Sequence, residues 1–187
     1  MDKEISNFDV GDRVLSFVSH RSLFKISEDE ILAKIPKEVS SESASTSYLY
    51  HLGYQGVLAC DLKAGSNLLV IGLGCLGLTT IKMSTIAGCN VFGVSDYELA
   101  SDNGSKMGAR QIFQRDELLE SLESANNNIF DCVIVATNHW NDVSLALQAC
   151  NQRGKIGFLG FPGRNKELPT FNPVSYTHLT LPTILLV

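Results

Sequence analysis

Three glycines at a fixed spacing carry the clearest chemical signal in the sequence. Gly72, Gly74 and Gly77 form a G-x-G-x-x-G motif directly after the apolar residues 68–71 and before a helical pattern. In a dinucleotide-binding turn the first glycine makes the tight bend, the second lets the backbone approach a pyrophosphate, and the third lets the helix pack closely on the strand. The pyrophosphate lies at the helix N-terminus, which favours an anion. The motif therefore predicts a dinucleotide site formed by Gly72, Leu73, Gly74, Cys75, Leu76 and Gly77.

A second position of chemical interest follows the next predicted strand, about twenty residues past the glycine turn. An acidic side chain there accepts a hydrogen bond from the ribose 2′-hydroxyl of NAD. Counting without a gap places Ser95 at this position, whereas a longer loop places Asp96 there. No arginine follows within the next few residues, so the sequence favours NAD over NADP, with NADP as the alternative. A purely structural role for Asp96, as the N-terminal cap of a helix, is the other interpretation.

Other side chains that could transfer a proton have structural explanations. A lone histidine is more often a hydrogen-bonded structural residue than a catalytic one, which applies to His20 and His51. His139 precedes a predicted helix, where capping or packing accounts for it, and Tyr48 lies in a helix of mixed Tyr and Leu residues that is typical of core packing. We therefore assign no catalytic residue.

The elements that must position these residues follow an alternating pattern. From residue 62 onward, strands are predicted over 68–71, 91–94, 111–113, 132–136 and 155–159, and helices over 76–87, 98–107, 116–124 and 142–150. This alternation predicts a doubly wound α/β fold with a parallel sheet. A complete dinucleotide domain has six strands, so one edge of the sheet is expected to be missing. Upstream, short strands are predicted within 9–18, 22–25 and 31–35, followed by a helix from Ser40 or Ser41 to about Cys60.

The composition describes a folded, acidic chain. Its 187 residues are 44% hydrophobic, which is enough to bury a core. A net charge of -5 without a basic cluster argues against nucleic acid or a membrane surface as partner, so a small soluble molecule is expected. No signal peptide or membrane-spanning run is found, which predicts a cytoplasmic location. The five cysteines lack zinc-pair spacing and are expected to be reduced and buried.

Several short motifs resemble, in their order and spacing, the medium-chain dehydrogenase/reductase family, of the zinc-type alcohol dehydrogenase-like kind. They are Gly11-Asp12-Arg13-Val14, Lys34-Ile35-Pro36, Gly53-Tyr54-Gln55-Gly56-Val57, the glycine motif and Met107-Gly108-Ala109. The resemblance covers about residues 9–173. It implies that residues 1–45 are the C-terminal remnant of a β-rich GroES-like catalytic domain. It also implies that residues 46–173 are a Rossmann domain with five of six strands, beginning with a connecting helix over 46–60.

The resemblance also implies where the reactive end of the cofactor lies. Thr137, Leu159 and Gly160 follow the fourth and fifth predicted strands of the sheet and would lie near the nicotinamide. Ligands of open α/β sheets bind outside the carboxyl ends of the strands, which agrees with this placement. For Thr137, ordinary turn chemistry is an equally weighted alternative.

Family membership implies an NAD(P)-dependent oxidoreductase that transfers a hydride between nicotinamide and an alcohol or carbonyl substrate. A catalytic zinc needs three protein ligands, and two would belong to a segment upstream of this chain. The third falls at Ser47 or Tyr48, neither of which is an ordinary zinc ligand, so no zinc site is predicted. The fragment is expected to be inactive, and the intact protein to be compatible with homo-oligomers. The alternative is a non-catalytic nucleotide-binding or redox-sensing module of the same fold.

The last residues resemble something other than a protein segment. Val174-Ser175-Tyr176-Thr177-His178-Leu179 is what one reading frame of a transposon adapter used in sequencing libraries encodes. Residues 174–187 are therefore expected to be non-native and are excluded from the fold. A genuine β-rich tail is the alternative.

Overall fold

The computed structural model describes residues 7–125 and 129–160. The chain divides into two compact units, with the division between Tyr48 and Leu49. Residues 161–187, which include the adapter-like tail, lie outside the described residues. Among the described residues, no helix is long and apolar enough to cross a membrane.

The first unit contains a small antiparallel sheet. Strand β1 (Val14–Ser16) pairs with β2 (Ile31–Lys34), and a single 3-10 turn, Glu28–Glu30, precedes β2. The predictions of strands within 9–18 and 31–35 are thus confirmed. The strand predicted at 22–25 is wrong, because these residues form bends and coil in which Leu23 is 88% exposed. A short apolar run needs a neighbouring strand to become one, and this run has no pairing partner in the described sheet.

Arg13 connects this sheet to the segment that precedes the long helix. Its guanidinium donates hydrogen bonds to the carbonyl oxygens of Pro36 (2.9 Å) and Val39 (2.7 Å), and to Ser41 Oγ (3.2 Å). The planar guanidinium of arginine presents five N–H donors in a fixed geometry, whereas lysine offers three donors on a single nitrogen. The Gly11-Asp12-Arg13-Val14 motif therefore has a structural role in ordering residues 36–41.

Helix α1 (Ser41–Ala59) confirms the helix predicted from Ser40 or Ser41 to about Cys60, and its role as a connector between domains stays a prediction. Ser40 caps it, since its Oγ accepts a hydrogen bond from the backbone N–H of Ser43 at 3.1 Å. A Cβ placed at Gly53 would lie 2.8 Å from the backbone of Thr79 and Thr80. Glycine at this position therefore permits a close approach between the C-terminal half of α1 and the helix that carries Thr79.

The second unit is a parallel sheet with helices on both faces. Its strands are β3 (Asn67–Ile71), β4 (Asn90–Val94), β5 (Gln111–Phe113), β6 (Phe130–Val135) and β7 (Cys150–Phe158). The helices between them are α2 (Cys75–Ile86), α3 (Glu98–Met107), α4 (Arg115–Ala125) and α5 (Trp140–Ala149). Among the described residues the strand order is β5-β4-β3-β6-β7, and every pairing is parallel. The predicted doubly wound architecture and its five strands are confirmed, except that β7 begins at Cys150, five residues earlier than predicted.

The packing of the core on both faces of the sheet explains why the strand sequences are continuous apolar runs. Leu69 and Ile71 of β3 face one cluster together with buried residues of α4 and α5, whereas Leu68 and Val70 face the other, with Ile81 of α2. These four apolar side chains of β3 are fully buried. A parallel sheet covered on both faces buries both sides of each strand, so the alternation of polar and apolar residues disappears.

The structure only partly confirms the expectation that the five cysteines are reduced and buried. None forms a disulfide, and Cys60, Cys89, Cys132 and Cys150 are buried, but Cys75 is exposed. Cys75 is the first residue of α2, at the carboxyl edge of the sheet, where the glycine turn leaves it uncovered. The expectation that all five thiols are buried is therefore wrong for Cys75.

Burial of Cys150 makes the stability of the fold depend on alkaline pH. Desolvation raises the pKa of the Cys150 thiol to about 12, compared with about 8.5 in an unfolded chain. The folded state therefore keeps a proton that the unfolded state loses. The resulting stabilisation is fully present below about pH 8.5 and is lost as the pH rises toward 12, at up to about 1.4 kcal/mol per pH unit.

We expect the free energy of unfolding, measured in urea, to fall with this slope between pH 9 and 11. The Cys150→Ala variant should have a smaller slope, because it lacks the contribution of this one proton. Comparing the slopes, rather than the absolute free energies of unfolding, removes the packing cost of the substitution. The same slope in both proteins would contradict the burial of this thiol.

Candidate dinucleotide-binding site

The glycine turn after β3 requires glycine at two positions for steric reasons. Gly72 has φ +90°, and a Cβ there would lie 2.1 Å from Thr137 Cγ2. A Cβ at Gly77 would lie 1.9 Å from the carbonyl oxygen of Gly72, so the first turn of α2 packs directly on the turn itself. A Cβ at Gly74 would meet no atom within 4 Å. The turn therefore needs Gly72 and Gly77 for its own structure, while the space at Gly74 is open.

The N-terminus of α2 is suited to an anion. Its N-cap is Gly74, no side chain caps it among the described residues, and its first turn contains no acidic residue. By contrast, α3 and α4 both carry acidic residues in their first turns. The first backbone N–H groups of a helix lack intrahelical acceptors and lie at the positive end of its dipole. The first turn of α2 therefore offers donors and positive potential next to the open space at Gly74.

A cavity of about 480 Å³ lies beyond the ends of β4 and β5. It is lined by Ser95, Asp96, Glu98, Ser101, Ile112, Gln114 and Glu117. Ser95 is 8% exposed, and its Oγ accepts a hydrogen bond from the backbone N–H of Tyr97 at 3.2 Å. Both residues that compete for the ribose position therefore line the same cavity, with Ser95 buried at the strand end and Asp96 exposed.

Asp96 does not cap the helix that follows it, because the N-cap of α3 is Tyr97. Instead, Asp96 Oδ1 accepts a hydrogen bond from the backbone N–H of Arg115, the first residue of α4, at 3.0 Å. Its Oδ2 lies 3.5 Å from Arg115 Nε. The expectation that Asp96 caps the helix after it is therefore wrong, because its carboxylate binds the first residue of α4 instead.

Arg115 is the residue that the sequence analysis missed. No arginine directly follows Asp96 in the sequence, whereas Arg115 follows the next strand. Val94 and Phe113 are paired in the parallel register of β4 and β5, so residues two positions further along each strand lie side by side. The parallel register of β4 and β5 could have predicted this contact, because it places Asp96 beside Arg115 if the two strands are neighbours in the sheet.

Thr137 lies at the centre of the carboxyl edge of the sheet. Its methyl group occupies the space above Gly72, and its Oγ1 donates a hydrogen bond to Asp142 Oδ2. After β7, the backbone N–H of Leu159 donates to the carbonyl oxygen of Val135 at 2.9 Å. A Cβ at Gly160 would lie 2.4 Å from the carbonyl oxygen of Thr137. The structure therefore brings Thr137, Leu159 and Gly160 together, with Thr137 packed against the glycine turn.

The remaining candidates have structural contacts. Tyr48 packs edge-on against Phe17, with ring centroids 4.9 Å apart, and His51 Nε2 lies 3.4 Å from Gln55 Nε2. His139 occupies the N-cap position of α5, although its side chain does not cap that helix. Ser47 Oγ donates to the carbonyl oxygen of Ala44 at 2.7 Å within α1. Among the described residues no group of three or more His, Cys, Asp or Glu side chains could hold a metal ion, so they do not fit a zinc site.

Together, the strand order, the glycine turn and the cavity at the carboxyl edge define a Rossmann-type α/β domain. A family model described as zinc-binding dehydrogenase matches residues 75–186, and the chain belongs to this family of medium-chain dehydrogenases/reductases. The resemblance found in the sequence is thus confirmed. The matched range includes most of the adapter-like tail, whose non-native origin stays a prediction.

Relatives and solved structures agree with this placement. The chain is 27% identical over 139 residues to sorbitol dehydrogenase of Bacillus subtilis, covering 72% of the chain and 39% of that protein. It is 35% identical over 151 residues to a probable diacetyl reductase of Saccharomyces cerevisiae, covering 77% of the chain and 36% of that protein. L-idonate 5-dehydrogenase of Escherichia coli shares the fold, with a TM-score of 0.73 and 15% identity over 82% of the chain and 44% of that structure. The chain thus spans about two fifths of the length of the curated relatives it matches.

Proposed function

We propose that this chain carries the nicotinamide-dinucleotide site of an oxidoreductase that interconverts an alcohol and a carbonyl compound. The observation that carries this proposal is the uncapped N-terminus of α2 behind the open space at Gly74, next to the cavity at Ser95 and Asp96. The names of the relatives, which are polyol and diacetyl-type oxidoreductases, support the substrate class. We also propose that residues 1–45 belong to a GroES-like catalytic domain and that residues 46–173 form the nucleotide domain.

The residues of this chain would bind the cofactor along the carboxyl edge of the sheet. The backbone N–H groups of Cys75, Leu76 and Gly77 would donate to the pyrophosphate, and the cavity beyond β4 would receive the adenosine. Thr137, Leu159 and Gly160 would border the nicotinamide ring. The bound nicotinamide supplies or accepts the hydride, and the protein contributes its position.

The charges around the cavity favour NAD(H) over NADP(H). Asp96, Glu98 and Glu117 all line the cavity, so three carboxylates would repel a 2′-phosphate. Arg115, the nearby cation, is already paired with two carboxylates, Asp96 and Asp142. This balance supports a ribose with an unmodified 2′-hydroxyl.

Thermal unfolding with added nucleotide tests the proposal directly. NADH at about 100 times its Kd should stabilise the chain by about 2.7 kcal/mol, which corresponds to a rise in Tm of roughly 5–10 °C for a chain of this size. NADPH at the same concentration should give a smaller rise. No rise with either nucleotide would refute the dinucleotide site, and a larger rise with NADPH would refute the preference.

Cys75 provides an independent test of where the nucleotide binds. It is the exposed thiol among the five cysteines and lies in the first turn of α2. Iodoacetamide should therefore label Cys75 rapidly in the native chain, and saturating NADH should slow this labelling. The Cys75→Ala variant, which should lack the rapid phase, shows that the label is at this residue. Labelling at the same rate with and without bound NADH would place the nucleotide elsewhere.

A non-catalytic nucleotide-binding module is the second candidate. It is favoured by Ser47 and Tyr48 at the expected ligand position, where Ser47 Oγ is bound to a carbonyl oxygen of its own helix. Such a module would bind NADH but would not exchange a hydride with an alcohol or carbonyl compound. Since this chain alone is expected to be inactive, the full-length protein is the one to assay. Its binding of NADH followed by turnover of sorbitol or diacetyl would exclude the module, and binding without turnover of any polyol or diketone tested would support it.

A further inference from the structure

Asp142 is a buried carboxylate with two partners on different elements. It lies in the first turn of α5 and is 1% exposed. Its Oδ2 accepts a hydrogen bond from Thr137 Oγ1, and its Oδ1 accepts one from Arg115 Nη1. Both carboxylate oxygens are therefore satisfied, and the guanidinium of Arg115 supplies the opposite charge.

Arg115 lies between this buried carboxylate and the rim of the cavity. Its side chain is 35% exposed, and its Nε lies 3.5 Å from Asp96 Oδ2, which belongs to a residue lining the cavity. Its neighbours Gln114 and Glu117 also line the cavity, whereas Arg115 itself does not. The guanidinium is thus close to the cavity but is held on the side of Asp142.

An ion pair with a buried carboxylate is a poor source of stability. Removing the carboxylate of Asp142 from water costs about as much as its attraction to the half-buried guanidinium returns, so an apolar residue of similar size is often equally stabilising. The pairing of Arg115 with Asp142 therefore needs another explanation. Its geometry provides one, because it determines where the guanidinium of Arg115 points relative to the cavity.

We propose that Asp142 sets the nucleotide preference by holding Arg115 away from the adenosine ribose. This inference rests on the proposed dinucleotide site. An arginine beside the ribose position is what accommodates the 2′-phosphate of NADP(H), and Ser95, which lines the cavity at the end of β4, carries no charge that would repel it. Asp142 is then a specificity-determining positioning residue that touches no ligand itself.

The test compares the affinities of the full chain for NADH and NADPH, measured by fluorescence titration, in wild type and in Asp142→Asn. Asparagine preserves the size and the hydrogen bond to Thr137 but removes the charge that holds Arg115. We expect the NADPH-to-NADH affinity ratio to rise about tenfold or more, since a hydrogen bond between charged groups is worth that factor. The rise should disappear in the double variant Asp142→Asn with Arg115→Met.

Asp116→Asn is the matched control. It removes the same charge from an exposed residue that directly follows Arg115. Because charges at the surface interact weakly, the NADPH-to-NADH affinity ratio should stay within about twofold of the wild-type value. If Asp142→Asn does not fold, Asp142→Ser is a smaller neutral replacement that also removes the charge holding Arg115. An unchanged ratio in the folded variant, or an equal rise in Asp116→Asn, would overturn the inference. Failure of wild type to bind either nucleotide would instead refute the proposed function.

Discussion

Replacing Gly77 by alanine is expected to lower the free energy of unfolding by about 3 kcal/mol or more. The added methyl group would lie 1.9 Å from the carbonyl oxygen of Gly72 and 3.0 Å from its carbonyl carbon. Neither is the end of a flexible side chain, so the overlap can be relieved only by moving α2 away from the turn after β3. Because β3 is the central strand of the described sheet and its four apolar side chains are fully buried, such a movement opens both halves of the core.

Chemical denaturation provides the measurement, with the midpoint and the slope both recorded. The matched control is Gly74→Ala, which adds the same methyl group three residues earlier in the motif, where no atom lies within 4 Å. Gly74 has φ -78° and ψ -168°, an ordinary extended conformation for alanine. A Gly77→Ala protein as stable as wild type would show that α2 does not pack on Gly72 as described.

Gly74→Ala is expected to separate nucleotide binding from folding. The chain should fold with a Tm equal to or slightly above that of wild type, since alanine at a compatible position restricts the unfolded state. The methyl group would occupy the space in front of the first turn of α2 and hold a pyrophosphate away from the backbone N–H groups. Hydrogen bonds to charged groups contribute about 1.5–3 kcal/mol each, so losing one of them should weaken NADH binding by roughly tenfold to two-hundredfold.

Calorimetric titration with NADH, ADP and adenosine locates the effect. NADH and ADP contain the pyrophosphate and should both lose affinity in Gly74→Ala, whereas adenosine, which lacks phosphate, should bind as it does to wild type. Equal NADH affinity in the two proteins would contradict the placement of the pyrophosphate at α2. A matching loss for adenosine would show that the substitution disturbs the whole cleft.

The glycine motif illustrates what local sequence can establish. A strand, a tight turn and a helix follow one another within twenty residues, and each is encoded by its own residues: apolar Leu68 to Ile71, then the glycines, then a helical pattern. Predictions of this kind were confirmed for all five strands of the sheet and for α1, capped by Ser40. Where no neighbouring strand was available, as at residues 22–25, the same local pattern failed.

The sequence by itself therefore determined the elements, their order and the family of this protein, because burial of both sheet faces and the geometry of a tight turn restrict residue types locally. Only the tertiary structure decided how the charges are arranged around the cavity beyond β4 and β5. Arg115 is separated by 19 residues from Asp96 and by 27 from Asp142. These contacts arise from the register of β4 and β5 and from the packing of α4 beside α5, which no local pattern of residues contains.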